Sequence, residues 1–446
     1  MAASCMTGSR PRLPKGNRLL PNDQSIDAGL TLARQLFDKI GEDSFDGTGY
    51  TRAAYGEGEQ RAHDAVSKAA KDLGLKIEID AALNMYMTLE GTDSRGGPLL
   101  IGSHLDSVPR GGNYDGLAGV LAGIATVAAY REAGSRPKQD ITVLAIRGEE
   151  SAWFGAQHIG SRAILGTLDD AILDSARRVD SGRTLRDHML EAGADPTKLG
   201  PGRPLCDRSA IRGYVELHIE QGPTLVTAGK PVGVVTGIRG NRRCRNIVCA
   251  GEYGHSGTVP RSDRHDSVMA AAELITRLDD LWRMIEEEGG DMVLTFGRFS
   301  TDPAAHAVTT VPGHVELCFD LRSHSEEILT RVEAALLSEM RDIGERRGVA
   351  FTHDPMTGDI PIDMDRSFQD ALKRGCEALS IPMMPIASGA GHDAGDFATA
   401  GVPTSMLFVR NENGSHNPAE HMEFDDFEKG VRLITWFVAE MSEGRV

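Results

Sequence analysis

The chain has 446 residues, 40% of them hydrophobic and 25% charged, and its formal net charge is −17 at pH 7. This is globular composition for about two to four domains, and the acidic excess argues against nucleic-acid partners and anionic membrane surfaces. The longest apolar run, residues 120–130, is far shorter than the roughly 20 residues that cross a bilayer. Because we find neither a secretory signal nor a CxxC pair, we expect a cytoplasmic protein with reduced thiols.

Strands alternate with helices in the first half of the chain. Apolar residues at helical spacing predict helices, and short apolar or alternating runs predict strands. The predicted helices cover residues 26–41, 57–73 and 116–133, and the predicted strands cover residues 76–79, 84–90, 98–104, 141–146 and 213–219. This alternation predicts an α/β domain with a mixed, mostly parallel sheet.

The pattern changes after about Gly229 and returns after Gly348. Between these points we predict strands at 232–238, 244–251, 292–299 and 314–322, with long helices at 267–288 and 326–347. Beyond them we predict a helix at 367–379, a strand at 404–408 and a helix at 424–442. The predicted organisation is a tail (1–24), a discontinuous catalytic domain (25–229 and 348–446) and an inserted α+β domain (230–347).

Imidazole and carboxylate side chains recur at the ends of predicted strands. They lie in four segments: residues 102–116 with His104, Asp106 and Asp115; 147–155 with Glu149 and Glu150; 216–223 with His218; and 414–421 with His416. Open α/β sheets bind ligands at the carboxyl ends of their strands. Nitrogen and oxygen donors without a thiolate suit Zn²⁺, Mn²⁺, Co²⁺ or a pair of such ions.

The spacing of these side chains indicates different tasks. One carboxylate can bridge two metal ions about 3.5–4 Å apart. Adjacent Glu149 and Glu150 cannot both point the same way on an extended backbone, so one could bind metal while the other acts as general base. Asp106 follows His104 by two residues and is well placed to orient that imidazole.

The four segments, in this order, resemble the M20 metallopeptidase-like superfamily and its hydantoinase/carbamoylase branch of amidohydrolases. The resemblance runs from about Ile26 to the C-terminus, and the branch includes N-carbamoyl-L-amino acid hydrolases, allantoate amidohydrolases and β-ureidopropionases. It implies two divalent ions (Zn²⁺, Mn²⁺ or Co²⁺) per subunit and a homodimer formed through the inserted domain, which would act as a lid. It also implies Glu149 as general base and a ligand set with Asp115 bridging: His104, Asp115, Glu150, His218 and His416.

The same resemblance implies residues that bind a small substrate bearing a carboxylate. His255, in segment 254–267, would polarise the scissile carbonyl in its own or the partner subunit's site. Gln221 and His392 would contact the substrate, and Arg322 would clamp its carboxylate.

One position departs from the branch pattern. The ureide hydrolases usually carry an Asn three residues before a Val-Pro-Gly proline, and here that position is Thr309, before Pro312. Thr offers one hydroxyl, whereas Asn offers both a carbonyl acceptor and an amide donor. The expected substrate is an N-carbamoyl amino acid or a related ureide, and an aminoacylase or dipeptidase activity stays open as the alternative. A non-catalytic scaffold is disfavoured because all five ligand positions and Glu149 are present.

Overall fold

The computed structural model describes residues 21–446, so the predicted tail falls almost wholly outside the described residues. The helices of the described part are α1 (Asp23–Ser44), α2 (Glu57–Asp72), α3 (Leu117–Glu132), α4 (Ser151–Phe154), α5 (Ile159–Leu165), α6 (Asp170–Ser175), α7 (Leu185–Ala192), α8 (Thr224–Ala228), α9 (Ser267–Glu287), α10 (Glu326–Arg347), α11 (Arg366–Ala378), α12 (Asp393–Thr399) and α13 (Phe424–Ser442). The strands are β1 (Lys76–Ile79), β2 (Met85–Leu89), β3 (Leu99–His104), β4 (Ile141–Ile146), β5 (Gly213–Ile219), β6 (Val232–Ile238), β7 (Gly240–Ala250), β8 (Gly254–His255), β9 (Val293–Thr295), β10 (Phe299–Thr301), β11 (Thr310–Val311), β12 (His314–Ser323), β13 (Ala350–His353), β14 (Ile362–Asp363), β15 (Met383–Ser388) and β16 (Thr404–Val409).

The described chain forms two compact units. The first comprises the described residues up to Thr236 together with Met364–Ile386 and His392–Val446, and the second comprises Gly237–Asp363 and Ala387–Gly391. The main sheet of the first unit has the order β1-β2-β4-β3-β5-β16-β6, with β15 also paired to β6. Its central strands β4, β3, β5 and β16 run parallel, and β2 and β6 join them antiparallel. The predicted α/β class with a mixed sheet is confirmed.

The central strands are buried along their whole length, which explains their nearly continuous apolar sequences. Helix α3 is apolar all round and contacts α1, α13, β3, β4 and β5. A Cβ added at Gly119 would lie 2.3 Å from the carbonyl oxygen of Leu217. Glycine therefore lets α3 rest directly on β5, next to His218.

The second unit is α+β. Its antiparallel sheet has the order β10-β12-β7-β13, with β9 also paired to β12, and β8 pairs with β11 in a separate ribbon. Helices α9 and α10 contact each other and both contact β7 and β12. Inward side chains of β12 alternate with half-exposed ones, as expected for a sheet covered on one face.

Several stretches differ from the sequence prediction, among them β13, β15 and α12, which had no assignment. The predicted strand 292–299 is two strands, β9 and β10, which pair with opposite ends of β12. Residues 151–192 form four short helices, α4 to α7, that had no assignment, because helices of four to eight residues are too short to show a clear period.

No helix among the described residues is long and apolar enough to cross a membrane.

Candidate active site

Strand order brings the four segments that carry the imidazole and carboxylate side chains to one edge of the first unit's sheet. His104 ends β3, and His218 lies one residue before the end of β5, its parallel neighbour. Glu149 and Glu150 follow β4, and His416 follows β16. The carboxyl ends of parallel strands meet at the same edge, so residues remote in sequence become neighbours.

Two groups of donor side chains share the carboxylate of Asp115. The Nε2 atoms of His104 and His218 lie 3.5 and 3.1 Å from its Oδ1. The Nε2 atom of His416 lies 3.6 Å from its Oδ2 and 3.3 Å from Oε1 of Glu150. Within each group the donor atoms all lie within 4.8 Å of one another. A carboxylate that turns one oxygen to each group has the arrangement of a bridge between two cations.

The hydrogen bonding of the imidazoles fits metal ligation. Nδ1 of His104 lies 3.1 Å from the carbonyl oxygen of Asp106, and Nδ1 of His218 lies 2.9 Å from that of Ile219. A carbonyl only accepts, so each Nδ1 carries a proton and each Nε2 is the ring atom left to bind a cation. The buried Nε2 of His218 and Oε1 of Glu150 make no well-formed hydrogen bond with any described residue, and their polar neighbours, Asp115 and His416, belong to the same two groups. These atoms and the nitrogen–carboxylate donor set fit divalent cations.

Burial and mutual charge leave three of the candidate ligands with raised pKa values. Burial, aided by Asp115 and Glu149, raises the pKa of Glu150 to about 7. Burial lowers the pKa of His218, but the Asp115 carboxylate outweighs it and the result is a pKa of about 9. The Glu150 carboxylate, 3.3 Å from Nε2, raises the pKa of His416 to about 9. A divalent cation would displace these protons, because metal ligands bind in deprotonated form.

Asp106 connects the histidine turn to the glutamate turn. Its Oδ1 lies 3.3 Å from Nδ1 of His104. The same carboxylate accepts hydrogen bonds from the backbone N–H groups of Glu149 and Glu150, at 3.1 and 3.2 Å. The sequence indicated only the contact with His104; the link to the glutamates comes from β3 and β4 being neighbours.

Glu420 is a buried residue of the site that the sequence analysis did not single out. It accepts hydrogen bonds from the backbone N–H groups of Tyr114 and Asp115 and from the hydroxyl of Ser415. That hydroxyl also lies 2.5 Å from Oδ2 of Asp115. Burial, with the nearby Asp115 charge, raises the pKa of Glu420 to about 7. Glu420 thus holds the turn that presents Asp115, and no local spacing could have revealed a contact across 305 residues.

Glu149 lies between two imidazoles. Its Oε2 is 3.8 Å from Nε2 of His104, and its Oε1 is 3.3 Å from Nε2 of His158. On the other side of the His158 ring, Nδ1 lies 2.7 Å from Oδ2 of Asp396. Burial raises the pKa of Glu149, but the two imidazoles outweigh it and hold that pKa at about 2.

Gln221 and His392 also lie at the cluster of candidate ligands. Gln221 donates a hydrogen bond from Nε2 to Oδ2 of Asp115 at 2.9 Å. His392 is buried with its ring centroid 4.5 Å from that of His218, and with His218 and Glu216 it forms a third group of potential ligands. Their contacts with substrate stay predictions.

The other predicted substrate residues belong to the second unit. Arg322 donates to both oxygens of Asp320 and to the carbonyl of Gly389. His255 is exposed on β8, and its Nδ1 accepts a hydrogen bond from the N–H of Gly257. Thr309 is exposed, and its carbonyl accepts from the N–H of Ser256. Their roles toward substrate likewise stay predictions.

Comparisons with known proteins agree over nearly the whole chain. Residues 100–440 match the model of peptidase family M20/M25/M40. The chain is 36% identical over 399 residues to an N-carbamoyl-L-amino acid amidohydrolase of Geobacillus stearothermophilus, covering 89% of this chain and 94% of that protein. It is 32% identical over 398 residues to the allantoate amidohydrolase of Escherichia coli K12, covering 88% and 93%. The crystal structure of a hydantoinase/carbamoylase family amidase from Burkholderia ambifaria superposes with a TM-score of 0.82 and 28% identity, covering 94% and 96%.

Proposed function

Because this chain belongs to peptidase family M20/M25/M40, a family of metal-dependent hydrolases, we propose that it hydrolyses a linear C–N bond of a carboxylate-bearing ureide. The proposed substrate is an N-carbamoyl amino acid or a related ureide such as allantoate or N-carbamoyl-β-alanine. The observation that carries the proposal is the Asp115 carboxylate, one oxygen of which faces His104 and His218 while the other faces His416. The relatives named above support the substrate class.

The proposed cofactor is a pair of divalent ions, Zn²⁺, Mn²⁺ or Co²⁺. One would be held by His104 and His218, the other by Glu150 and His416, with Asp115 shared. When bound, the ions supply Lewis acidity, which acidifies water and polarises the carbonyl under attack.

The chain's own residues would move the proton and hold the substrate. Glu149 accepts the proton of the attacking water and delivers it to the leaving nitrogen as the C–N bond breaks. His255 donates a hydrogen bond to the oxygen on which negative charge develops. Arg322 exchanges Asp320 for the substrate carboxylate in a bidentate pair, while Gln221 and His392 contact the rest of the substrate and Thr309 lies beside the carbamoyl group.

The test of this function is turnover on a panel, with products identified by mass spectrometry. Protein loaded with Zn²⁺, Mn²⁺ or Co²⁺ is offered N-carbamoyl amino acids of both hands, N-carbamoyl-β-alanine, allantoate, N-acyl amino acids and dipeptides. The proposal expects ureide cleavage, abolished by chelation. Cleavage of only acyl or peptidyl amides would identify an aminoacylase or dipeptidase, the alternative that Thr309 favours, since the Asn of the ureide hydrolases is absent there.

We further propose that the second unit is a lid and dimerisation domain and that the active protein is a homodimer. Light scattering of active protein tests the dimer, and a fully active monomer would contradict it. Mixed dimers of His255→Ala with Glu149→Gln then locate His255. Activity recovered on mixing indicates that His255 serves the partner subunit's site, whereas no recovery indicates its own.

A further inference from the structure

His158 is a nearly buried histidine held between two carboxylates. Its side chain is 11% exposed, its Nε2 lies 3.3 Å from Oε1 of Glu149, and its Nδ1 lies 2.7 Å from Oδ2 of Asp396. Carboxylates accept hydrogen bonds, so both ring nitrogens carry protons and the ring is an imidazolium. Burial opposes this charge, but hydrogen bonds with Asp396 and Glu149 outweigh it and hold the pKa of His158 well above its usual value.

The backbone around His158 is fixed to the backbone of Glu149. The N–H of His158 donates to the carbonyl of Glu149 at 2.8 Å, and the N–H of Ile159 donates to that of Gly148 at 3.0 Å. His158 itself has a φ of +56°, a left-handed conformation that is uncommon for residues other than glycine, although asparagine, aspartate and histidine adopt it more often than most. Such a conformation persists when the surrounding contacts determine it.

Asp396 is in turn anchored at the far side of the ring. It lies on α12, and the hydroxyl of Ser161 approaches its Oδ2 at 3.4 Å while donating to Oδ1 of the neighbouring Asp393 at 2.5 Å. His158 is absent from the groups of potential metal ligands among the described residues. The ring therefore contacts Glu149 and is not placed to bind a cation.

The two oxygens of Glu149 face different surroundings. Oε1 faces His158, whereas Oε2 faces the ligand His104 at 3.8 Å. We infer that His158, braced by Asp396, is a positioning residue that holds Oε1 of Glu149 and leaves Oε2 as the oxygen that exchanges the proton. The inference rests on the proposed function of Glu149 as general base. In that step the water proton goes to Oε2 and then to the leaving nitrogen, so His158 keeps both of its protons.

Two substitutions distinguish a role of the His158 side chain in positioning Glu149 from a role in accommodating the left-handed backbone at this position. His158→Gln puts an amide N–H at the place of Nε2 and can still donate to Glu149. His158→Asn puts an amide N–H at the place of Nδ1, next to Asp396, and cannot reach Glu149. Asparagine tolerates a positive φ better than glutamine does, so a purely structural role predicts that the Asn variant performs better.

Steady-state kinetics on the ureide that the wild type cleaves measure the effect. For His158→Asn we expect kcat to fall roughly 10- to 100-fold, the usual range for residues that orient catalytic groups, with KM changed less than about twofold. For His158→Gln we expect kcat within about fivefold of wild type. Asp396→Asn should lower kcat, and adding it to His158→Asn should cost little more, because the two act through one contact chain.

Controls distinguish the possible failures. Metal content by mass spectrometry should be unchanged in His158→Asn, and circular dichroism should show it folded at the assay temperature even though losing the buried ion pairs lowers its melting temperature. Exposed His353, on β13 of the second unit, gives the matched variant His353→Asn with wild-type kinetics. The positioning role would be overturned if wild type and His158→Asn had equal kcat, or if kcat were higher for His158→Asn than for His158→Gln. A wild type that cleaves no ureide but cleaves an acyl amide overturns the proposed substrate alone, and the same comparison is then made on that amide.

Discussion

Two adjacent glutamates acquire opposite properties from their surroundings. Glu149 lies between His104 and His158, which hold its pKa at about 2. Glu150, one residue on, lies among carboxylates, and burial with their charge raises its pKa to about 7. An extended backbone points the two side chains toward different neighbours. The same residue type therefore serves as the proposed base at one position and as a proposed ligand at the next.

Removing the proposed base should stop chemistry without emptying the site. Glu149→Gln is expected to lower kcat roughly 10²- to 10⁴-fold, the range attributed to a positioned general base. Glu150→Gln, the matched variant, should instead reduce the metal content. Turnover and metal stoichiometry measured on the same samples decide the assignment. Unchanged kcat in Glu149→Gln would refute it.

Arg322 provides a prediction about the substrate carboxylate. Arg322→Gln should raise KM for a carboxylate substrate roughly 10- to 100-fold, because a hydrogen bond to a charged group contributes about 1.5–3 kcal/mol. The same variant should leave KM unchanged for the corresponding substrate in which an amide replaces the carboxylate.

Arg243 offers the control for Arg322. Its Nε lies 3.4 Å from Oδ2 of Asp320, the carboxylate that Arg322 also contacts. Arg243→Gln removes an equal charge beside Asp320 and should leave KM near the wild-type value. If both variants raise KM alike, the effect is general electrostatics and Arg322 is not a specific clamp.

Among the elements, α9 and α10 are joined by one half-buried carboxylate. Glu273 of α9 accepts from Arg346 and Arg347 of α10, at 2.7 and 2.5 Å, and from Arg277 of its own helix. Burial alone would raise the pKa of Glu273, but Arg346 and Arg347 outweigh it and lower that pKa to about 2. A carboxylate with a lowered pKa stabilises the fold while it is ionised.

This contact makes stability depend on pH. Above about pH 4.5 the charge of Glu273 contributes fully, and the contribution disappears as pH falls toward 2. Glu273→Gln should therefore lower the free energy of unfolding by about 1–2 kcal/mol near pH 7, allowing for solvent screening. The difference should shrink below pH 4.5 and vanish near pH 2.

Urea unfolding of both proteins across pH measures this difference. The exposed Glu345 of α10 gives the control Glu345→Gln, which should change stability by less than about 0.5 kcal/mol. A difference for Glu273→Gln that stays constant from pH 7 to pH 2 would show that packing, not charge, stabilises the helix pair.

At the scale of the whole molecule, the proposed ligands come from segments spread from His104 to His416 and all belong to the first unit. Metal binding should therefore stabilise the first unit selectively. A ligand at one hundred times its dissociation constant contributes about 2.7 kcal/mol. Chelation should lower the melting temperature, and adding Zn²⁺ back should restore it.

Hydrogen exchange locates this stabilisation. After chelation, amides of β3 and β5 should lose protection, while amides of α9 and α10 keep theirs. Equal loss in both units, or no loss in β3 and β5, would contradict the ligand assignment.

Much of the secondary structure followed from local pattern. The strand 141–146 and the helix 326–347 were predicted with the bounds of β4 and α10, because their periods and flanking residues are local properties of the chain. The order of the four segments with imidazole and carboxylate side chains predicted the family, and the comparisons confirm it. The short helices α4 to α7 were missed because their contacts, not their periods, stabilise them.

The sequence by itself determined the fold class, the family and the chemical nature of the donor residues. Only the tertiary structure decided which atoms meet: Oδ1 and Oδ2 of Asp115 facing different histidines, Glu420 holding the Asp115 turn, and His158 contacting one oxygen of Glu149. The central strands lie in the order β4-β3-β5-β16, which is not their order in the chain. Sequence periodicity predicts the local secondary structure of a residue and whether its side chain faces the core. These contacts depend instead on strand order and on packing between residues far apart in sequence.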